Sequence, residues 1–464
     1  MERDLYEASP VAVIQTEDLF GQVSYAALTT GEAYGRLKII QGAETVSARD
    51  IVVYRAIPNT LSHVAGIITE VPQTPLSHVN LKAQQNHTPN AFIRDATTRP
   101  DVLAMVGKYV HFVAQPEGYT LEEASSAEVE AFLESIRPKE PQTPPRDLSV
   151  TAIAPLTELG FADSNSFGAK AANVAELGRF LPTDMSPEGF AVPFYFYDGF
   201  MKHNGFYDAA VAMMAKPAFR DNPQTRESEL DAFRRKLRNG TTPAWMLDAL
   251  ASMHHSYAEG TSLRCRSSTN NEDLPHFNGA GLYDSYTHHP DEGHIAKTVK
   301  QVWSSLWTYR AFEEREFYRV DHLQAAMGVL VHPNYEDEQA NGVGVTKNIY
   351  DPNWRGYYVN VQVGEDLVTN PPQFSIPDEF LVADLAGEER YEIQYIRRSN
   401  LIPDGHILTR EQVFQLADMM GRIQGHFRLL YGVSPWDRSF AMEIEFKITA
   451  DGRLCIKQAR PWVE

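Results

Sequence analysis

The first hundred or so residues alternate short apolar runs with turn residues. Residues 37–40, 50–54, 66–68, 91–93 and 109–113, and an earlier run at 11–14, are rich in β-branched and aromatic side chains. That combination predicts strands. Residues 21–28 and the segment that follows His78 read as helical instead, which makes this part of the chain a compact mixed α/β domain. Residues 126–136 predict a short amphipathic helix with Val129, Phe132 and Ile136 on one side. The pattern then breaks at Arg137-Pro-Lys-Glu-Pro-Gln-Thr-Pro-Pro-Arg146, where four prolines in ten residues favour an extended, semi-rigid connection. We therefore expect one domain over residues 1–136, a Pro-rich linker over 137–149 and a second domain over 150–464.

Past the linker, Phe167-Gly-Ala-Lys-Ala-Ala-Asn predicts a glycine-bearing turn opening a helix on which Ala171, Val174 and Leu177 share a face. Residues 197–255 read as mainly helical, with the charged stretch 226–236 a solvated face. A strand is expected to end in Arg266-Ser-Ser. Residues 295–319 show helical spacing of Val299, Val302, Leu306 and Tyr309. The adjacent histidine pairs His254/His255 and His288/His289 are expected at the surface, because neighbouring helical positions point apart. Residues 440–448 alternate as a strand, and Gly452 turns the chain into a second strand ending Gln458-Ala-Arg-Pro.

Composition narrows the range of functions. With 42 basic and 61 acidic residues the chain carries a net charge of -19. That balance argues against nucleic acid as the main partner, since phosphate backbones need a basic face. A local basic pocket for a small phosphorylated ligand remains compatible with it. Only Cys265 and Cys455 occur, without metal-ligand spacing, so no disulfide framework is expected. There is no basic-then-apolar leader and no run approaching 18 apolar residues, so a cytoplasmic protein with no membrane partner is expected.

Candidate chemistry gathers at four places. His78 follows an apolar strand and the loop Thr74-Pro-Leu-Ser, and neutral imidazole is a competent nucleophile near pH 7. A lone histidine is nevertheless more often a partly exposed surface residue. Lys170 at a glycine-opened helix start is a reasonable phosphate contact, since free backbone N–H groups lie beside it. Arg266 offers a guanidinium fork to an anion such as a triphosphate, and Arg310 closes a helical face from which it can turn inward. In the C-terminal hairpin Glu445, Gln458 and Arg460 can meet at one end. Two oxygens and a nearby arginine suit Mg2+ bridging nucleotide phosphates, and they equally suit a structural ion-paired hairpin.

Together these stretches resemble the dikinase family that includes phosphoenolpyruvate synthase, pyruvate phosphate dikinase and the glucan water dikinases. Val64-Ala-Gly-Ile-Ile-Thr-Glu and Thr74-Pro-Leu-Ser-His-Val-Asn are similar to its swivelling phosphohistidine domain. Gly168-Ala-Lys-Ala-Ala-Asn, Arg266-Ser-Ser-Thr-Asn-Asn-Glu-Asp-Leu, Glu443-Ile-Glu-Phe and Gln458-Ala-Arg-Pro are similar to its two-lobed ATP-grasp domain. The order of the two domains and Gly279-Ala-Gly-Leu-Tyr-Asp-Ser resemble the glucan water dikinase branch. The resemblance implies ATP held by Lys170, Arg266, Arg310 and Arg460, Mg2+ held by Glu445 and Gln458, and transfer of the β-phosphate to His78 with release of AMP and phosphate. It also implies a later transfer to a small-molecule or carbohydrate acceptor, with the linker letting the loaded domain move.

Three departures stand against the family pattern: Gly168-Ala-Lys-Ala for its Gly-Gly-Lys-Gly turn, His332 for its glutamine, and Gln362-Val-Gly-Glu365 for its Gly-Leu-Gly-Glu. No barrel domain that binds pyruvate and no carbohydrate-binding region is recognisable. The acceptor site is therefore expected in the insertions at 197–255 or 371–410, or on a partner domain or protein. Two alternatives stay open at this point: a catalytically weak nucleotide-binding or phosphocarrier module of an assembly, and an ATP-dependent ligase using the same cleft.

Overall fold

A computed structural model describes residues 23–42, 44–55, 63–71, 78–272, 274, 277, 279, 282–351, 354–365, 376–385, 390–402 and 404–462. They form a mixed α/β protein with three sheets. The chain divides between Lys139 and Glu140 into two compact units.

The first unit is built on seven strands: β1 (Tyr25–Thr29), β2 (Gly31–Ile40), β3 (Asp50–Tyr54), β4 (Gly66–Thr69), β5 (Asn90–Ile93), β6 (Tyr109–Gln115) and β7 (Gly118–Glu123), in the spatial order β1-β5-β4-β3-β2-β6-β7. Strands β2 to β5 run parallel, and β1, β6 and β7 are added antiparallel. The central strands are buried on both faces, which is why they read as continuous apolar runs. Ile51, Val53, Ile68 and Phe112 fill one side. Val52, Ile67, Val79 and Ala83 fill the other, the last two delivered by α1 (His78–Gln85). Asn80 fastens this helix to the sheet, its Oδ1 accepting from Thr29 Oγ1 and Asn90 Nδ2, both at 3.0 Å.

Two expectations are corrected here. Residues 25–29 are an edge strand rather than a helix: the alanine-rich run pairs with β5, so sheet pairing overrides local propensity. In α2 (Ser126–Ile136) the buried residues are Val129 and Leu133, an i,i+4 pair, whereas Ile136 is 47% exposed. The strand expected at 11–14 lies outside the described residues.

The second unit has a five-stranded sheet, β8 (Ala154–Pro155), β9 (Phe190–Val192), β10 (Leu263–Thr269), β11 (Tyr286–His288) and β12 (Met327–Pro333), ordered β11-β10-β12-β9-β8. Its six-stranded sheet contains β13 (Ala340–Val345), β14 (Gly356–Val363), β15 (Asp378–Asp384), β16 (Tyr391–Arg397), β17 (Met442–Ile448) and β18 (Leu454–Pro461), ordered β16-β15-β14-β13-β17-β18. Much of the proline-rich stretch is fastened to this unit. Gln142 pairs with Val320, Pro145 O accepts from Asn270 Nδ2 at 3.0 Å, and Arg146 donates to Leu323 O at 3.1 Å.

One helix belongs to both sheets. On α3 (Ala169–Phe180), Ala171, Val174 and Ala175 pack with Ala191 of β9 and Leu330 of β12, whereas Leu177 joins the core of the six-stranded sheet. Asn173 Nδ2 donates to Ala459 O of β18 at 3.1 Å. The helix starts against β10: Gly168 has φ +89°, and Ser268 Oγ accepts the Ala171 N–H at 2.9 Å, capping a first turn that glycine cannot cap with its own side chain. A methyl group at position 168 would lie 2.4 Å from Ser268 Oγ.

Two more residues sit differently from expectation. Arg226 is 8% exposed, pairs with Glu313 and donates to Phe219 O, so the charged stretch is partly interior. His288 is fully buried, with Nδ1 2.9 Å from Thr298 Oγ1, because it lies on a strand facing the following helix rather than on a helix surface.

Gly168→Ala should destabilise the second unit by about 2–4 kcal/mol, combining a disfavoured φ with overpacking. Urea unfolding followed by far-UV circular dichroism checks this, and a midpoint unchanged from wild type would contradict it.

Candidate active site

Strand alternation, the hairpin turn and the start of α3 bring charged side chains together where the two sheets of the second unit meet. In the hairpin Glu443 stands opposite Arg460 and Glu445 opposite Gln458, so all four sit at one end. Gly452, at φ +84°, makes the turn. From the five-stranded sheet Arg266 reaches across: Nη2 donates to Glu445 Oε2 at 2.8 Å and to Gln458 Oε1 at 2.7 Å, and Nη1 donates to Lys457 O at 3.0 Å. Arg460 Nη2 donates to Glu443 Oε1 at 2.6 Å. Lys170, from the first turn of α3, lies 3.6 Å from Glu272 Oε1 and 3.4 Å from Ser267 Oγ.

Of the residues singled out in the sequence, Lys170, Arg266, Glu445, Gln458 and Arg460 are thus drawn into one cluster. Arg310 stands at the start of α4 (Tyr309–Phe317), where burial lowers its guanidinium and Asp284 and Glu314 act against that. His78 is the first residue of α1 in the first unit, and its side chain and the loop at 72–77 lie outside the described residues. The stretch Gln362-Val-Gly-Glu365 is occupied structurally. Buried Gln362 donates to Ile376 O at 3.0 Å and accepts from Ser399 Oγ at 3.0 Å.

Burial and charge set the protonation states. Burial alone would raise the Glu445 carboxyl, but Arg266, Lys457, Lys170 and Arg460 outweigh it and hold the group at about 2. Burial lowers the Lys170 ammonium, with Glu272 acting against it. Burial also pushes His332 down to about 3, with Arg266 adding to the effect. This imidazole is therefore neutral, and its Nδ1 donates to Pro333 O at 2.8 Å. Its buried Nε2 has no partner among the described residues.

Sequence reading missed Lys457. Strict alternation would turn it away from Gln458, but the register shifts between Glu445 and Phe446: Glu445 faces Gln458 while Phe446 faces Ile456. Lys457 is the extra residue of a β-bulge, left beside Glu445 while Gln458 takes the opposing position. Its Nζ lies 3.8 Å from Glu445 Oε2. Burial lowers this ammonium to about 8, with Arg266 adding to the effect and Glu445 opposing it. No local sequence signal marks the bulge.

Glu445 and Gln458 direct two oxygens at a single nitrogen, and a cation already stands between them in the form of Arg266. A donor set of two oxygens fits Mg2+, which binds through one or two carboxylate-type ligands and completes its shell with water and phosphate oxygens. Among the described residues no group of three or more His, Cys, Asp or Glu side chains could hold a metal ion. A fully protein-ligated metal centre is not what this cluster offers.

The sequence profile of the pyruvate phosphate dikinase, AMP/ATP-binding domain family matches residues 164–464, which contain the whole cluster. The chain belongs to this family. Phosphoenolpyruvate synthase of Aeropyrum pernix is 24% identical over 339 residues, covering 63% of this chain and 40% of that protein. Rifampicin phosphotransferase of Bacillus cereus is 23% identical over 273 residues, covering 56% of this chain and 31% of that protein. Phosphoenolpyruvate synthase of Pyrococcus furiosus is 28% identical over 220 residues, covering 42% and 25%. This member of the family therefore matches a quarter to two fifths of those relatives' own lengths. A solved structure of D-alanyl-alanine synthetase A from Vibrio cholerae, at 12% identity over 51% of this chain and 54% of that chain, superposes with a TM-score of 0.19, too low to bear on the fold. No described helix is long and apolar enough to cross a membrane.

Glu445 titrates far below an unfolded glutamate, so its stabilisation is complete above about pH 4.5 and is lost as pH falls toward 2. Glu445→Gln should cost about 1–3 kcal/mol at pH 7, because Arg266 loses its carboxylate. The gap between variant and wild type should narrow between pH 4.5 and pH 3. Urea unfolding at pH 7, 4.5 and 3 reads this out, and a gap constant with pH would contradict the assignment.

Proposed function

We propose that this chain is a dikinase-type phosphotransferase that passes the β-phosphate of ATP to His78 and from there to a hydroxyl or enol acceptor. The observation that carries the reading is the convergence of Glu445, Gln458 and Arg266 beside Lys170 and Arg460, inside a segment that belongs to an AMP/ATP-binding family. The second unit is then the nucleotide domain, of ATP-grasp type, and the first the phosphohistidine domain. Residues 137–149 join them, and from Gln142 onward that stretch is hydrogen-bonded to the second unit.

Phosphoryl transfer is catalysed mainly by positioning and charge neutralisation, and the cluster supplies both. Lys170, Arg266 and Arg460 neutralise phosphate oxygens. Glu445 and Gln458 would hold Mg2+, which supplies neutralisation of the polyphosphate charge when bound. Glu445 is ionised throughout the physiological range, as a metal ligand must be. Arg266 Nη2 now donates to both oxygens, and with these engaged by the ion its guanidinium would be released to phosphate.

A neutral nitrogen of His78 attacks the β-phosphorus, and the bond from that phosphorus to the oxygen bridging it to the α-phosphorus breaks. AMP leaves with the bridging oxygen and its electron pair. Water then displaces the terminal phosphoryl group as inorganic phosphate, leaving one phosphoryl group on His78. The acceptor oxygen finally takes that group. The names of the relatives, phosphoenolpyruvate synthase and rifampicin phosphotransferase, support a nucleotide half-reaction coupled to different acceptors. The acceptor site of this chain lies in its insertions or on a partner domain or protein.

Incubation with β-labelled and γ-labelled ATP in parallel tests the reading. Acid-labile label should remain on the protein from the β-position only, and His78→Ala should abolish it. ATP binding without any protein-bound label would overturn the transfer step.

A further inference from the structure

Among the described residues, the cluster pairs four cations each with a carboxylate and leaves a fifth sharing one of them. Among the described residues of the cluster, Arg266 has Glu445 at 2.8 Å, Arg460 has Glu443 at 2.6 Å, Lys170 has Glu272 at 3.6 Å, and Lys447 is paired with Glu338. Lys457 has no carboxylate of its own. Its nearest is Glu445, at 3.8 Å, already taken at shorter range by Arg266. Placing a cation here costs desolvation; Arg266 and Lys447 repel it, and Glu445 and Glu338 attract it.

The arrangement is built rather than incidental. Regular pairing from the turn would set residue 457 opposite Glu445, and a bulge of one residue brings Gln458 into that position while leaving Lys457 Nζ 3.8 Å from Glu445 Oε2. The same residue's carbonyl receives Arg266 Nη1 at 3.0 Å, so the backbone at the bulge is pinned to the five-stranded sheet while the side chain is left to interact. Its ammonium side chain is 20% exposed, less buried than that of Arg266 at 10%. A partly accessible ammonium whose nearest carboxylate is shared with Arg266, beside two oxygens aimed at one point, calls for an anion that arrives with a cation.

We propose that Lys457 is a further polyphosphate contact of the nucleotide site, binding a non-bridging phosphate oxygen and supplying the charge that the cluster leaves uncompensated. The inference rests on the nucleotide reading above and adds to it a residue set by strand geometry. Lys457 belongs to ligand recognition, so its removal acts on phosphates and not on the nucleoside.

Calorimetric titration of the full chain with ATP in the presence of Mg2+, and separately with adenosine, tests this in wild type, Lys457→Met and Lys457→Arg. Methionine keeps the alkyl stem and removes the charge. Its ATP affinity should fall about 10- to 100-fold, the worth of one charge-assisted hydrogen bond, with adenosine affinity unchanged. Arginine keeps the charge and should hold the ATP-to-adenosine affinity ratio within about threefold of wild type. A ratio in Lys457→Met equal to wild type overturns the inference, whether both affinities stand or both fall together. A wild-type chain that binds adenosine but gains nothing from the phosphates overturns the inference while leaving a nucleoside site. A wild-type chain that binds neither removes the nucleotide reading itself.

Discussion

The second unit depends on one guanidinium. Arg266, 9% exposed, leaves the five-stranded sheet and makes three hydrogen bonds to the C-terminal hairpin of the six-stranded sheet. A buried charge is tolerable only when its hydrogen-bonding groups and its counter-charge are in place, and Glu445, Gln458 and the Lys457 carbonyl together meet that condition. The two acceptors that satisfy Arg266 are the same two oxygens suited to a magnesium ion. On the proposed reading fold and site draw on one set of atoms, and a nucleotide with its metal would enter by exchanging partners with Arg266.

The rest of the site follows from how α3 is seated. A glycine at φ +89° lets the chain approach Ser268 closely, and the serine caps the first turn from a neighbouring strand. That seating fixes Lys170 beside Ser267 and Glu272, while Asn173 and Leu177 fasten the helix to the other sheet. An alanine on either side of Lys170, where the family pattern has glycine, is compatible with this, since only residue 168 holds a positive φ. The family's phosphate turn is retained at the one position where backbone geometry requires glycine.

Much of this was legible in the sequence because period-two alternation is unambiguous in a hairpin. Glu443 and Glu445 share a face, Gly452 makes the turn, and a one-residue bulge sets Arg460 and Gln458 opposite them. The parallel strands of the first unit were legible as apolar runs for a related reason: burial on both faces of β3, β4 and β5 leaves few polar positions. What escaped was set by long-range pairing. Residues 25–29 took their structure from β5, the burial of Arg226 from Glu313 on a distant helix, and the joint presence of Lys457 and Gln458 beside Glu445 from a one-residue slip that alternation cannot anticipate.

The central claim is that this cluster transfers the β-phosphate rather than the terminal one, and product identity tests it most directly. A stoichiometric amount of ATP with Mg2+ and no acceptor should yield one AMP and one inorganic phosphate per active chain, with no ADP, when the quenched mixture is resolved by anion-exchange chromatography. ADP as the nucleotide product, in any proportion that tracks turnover, would contradict the account.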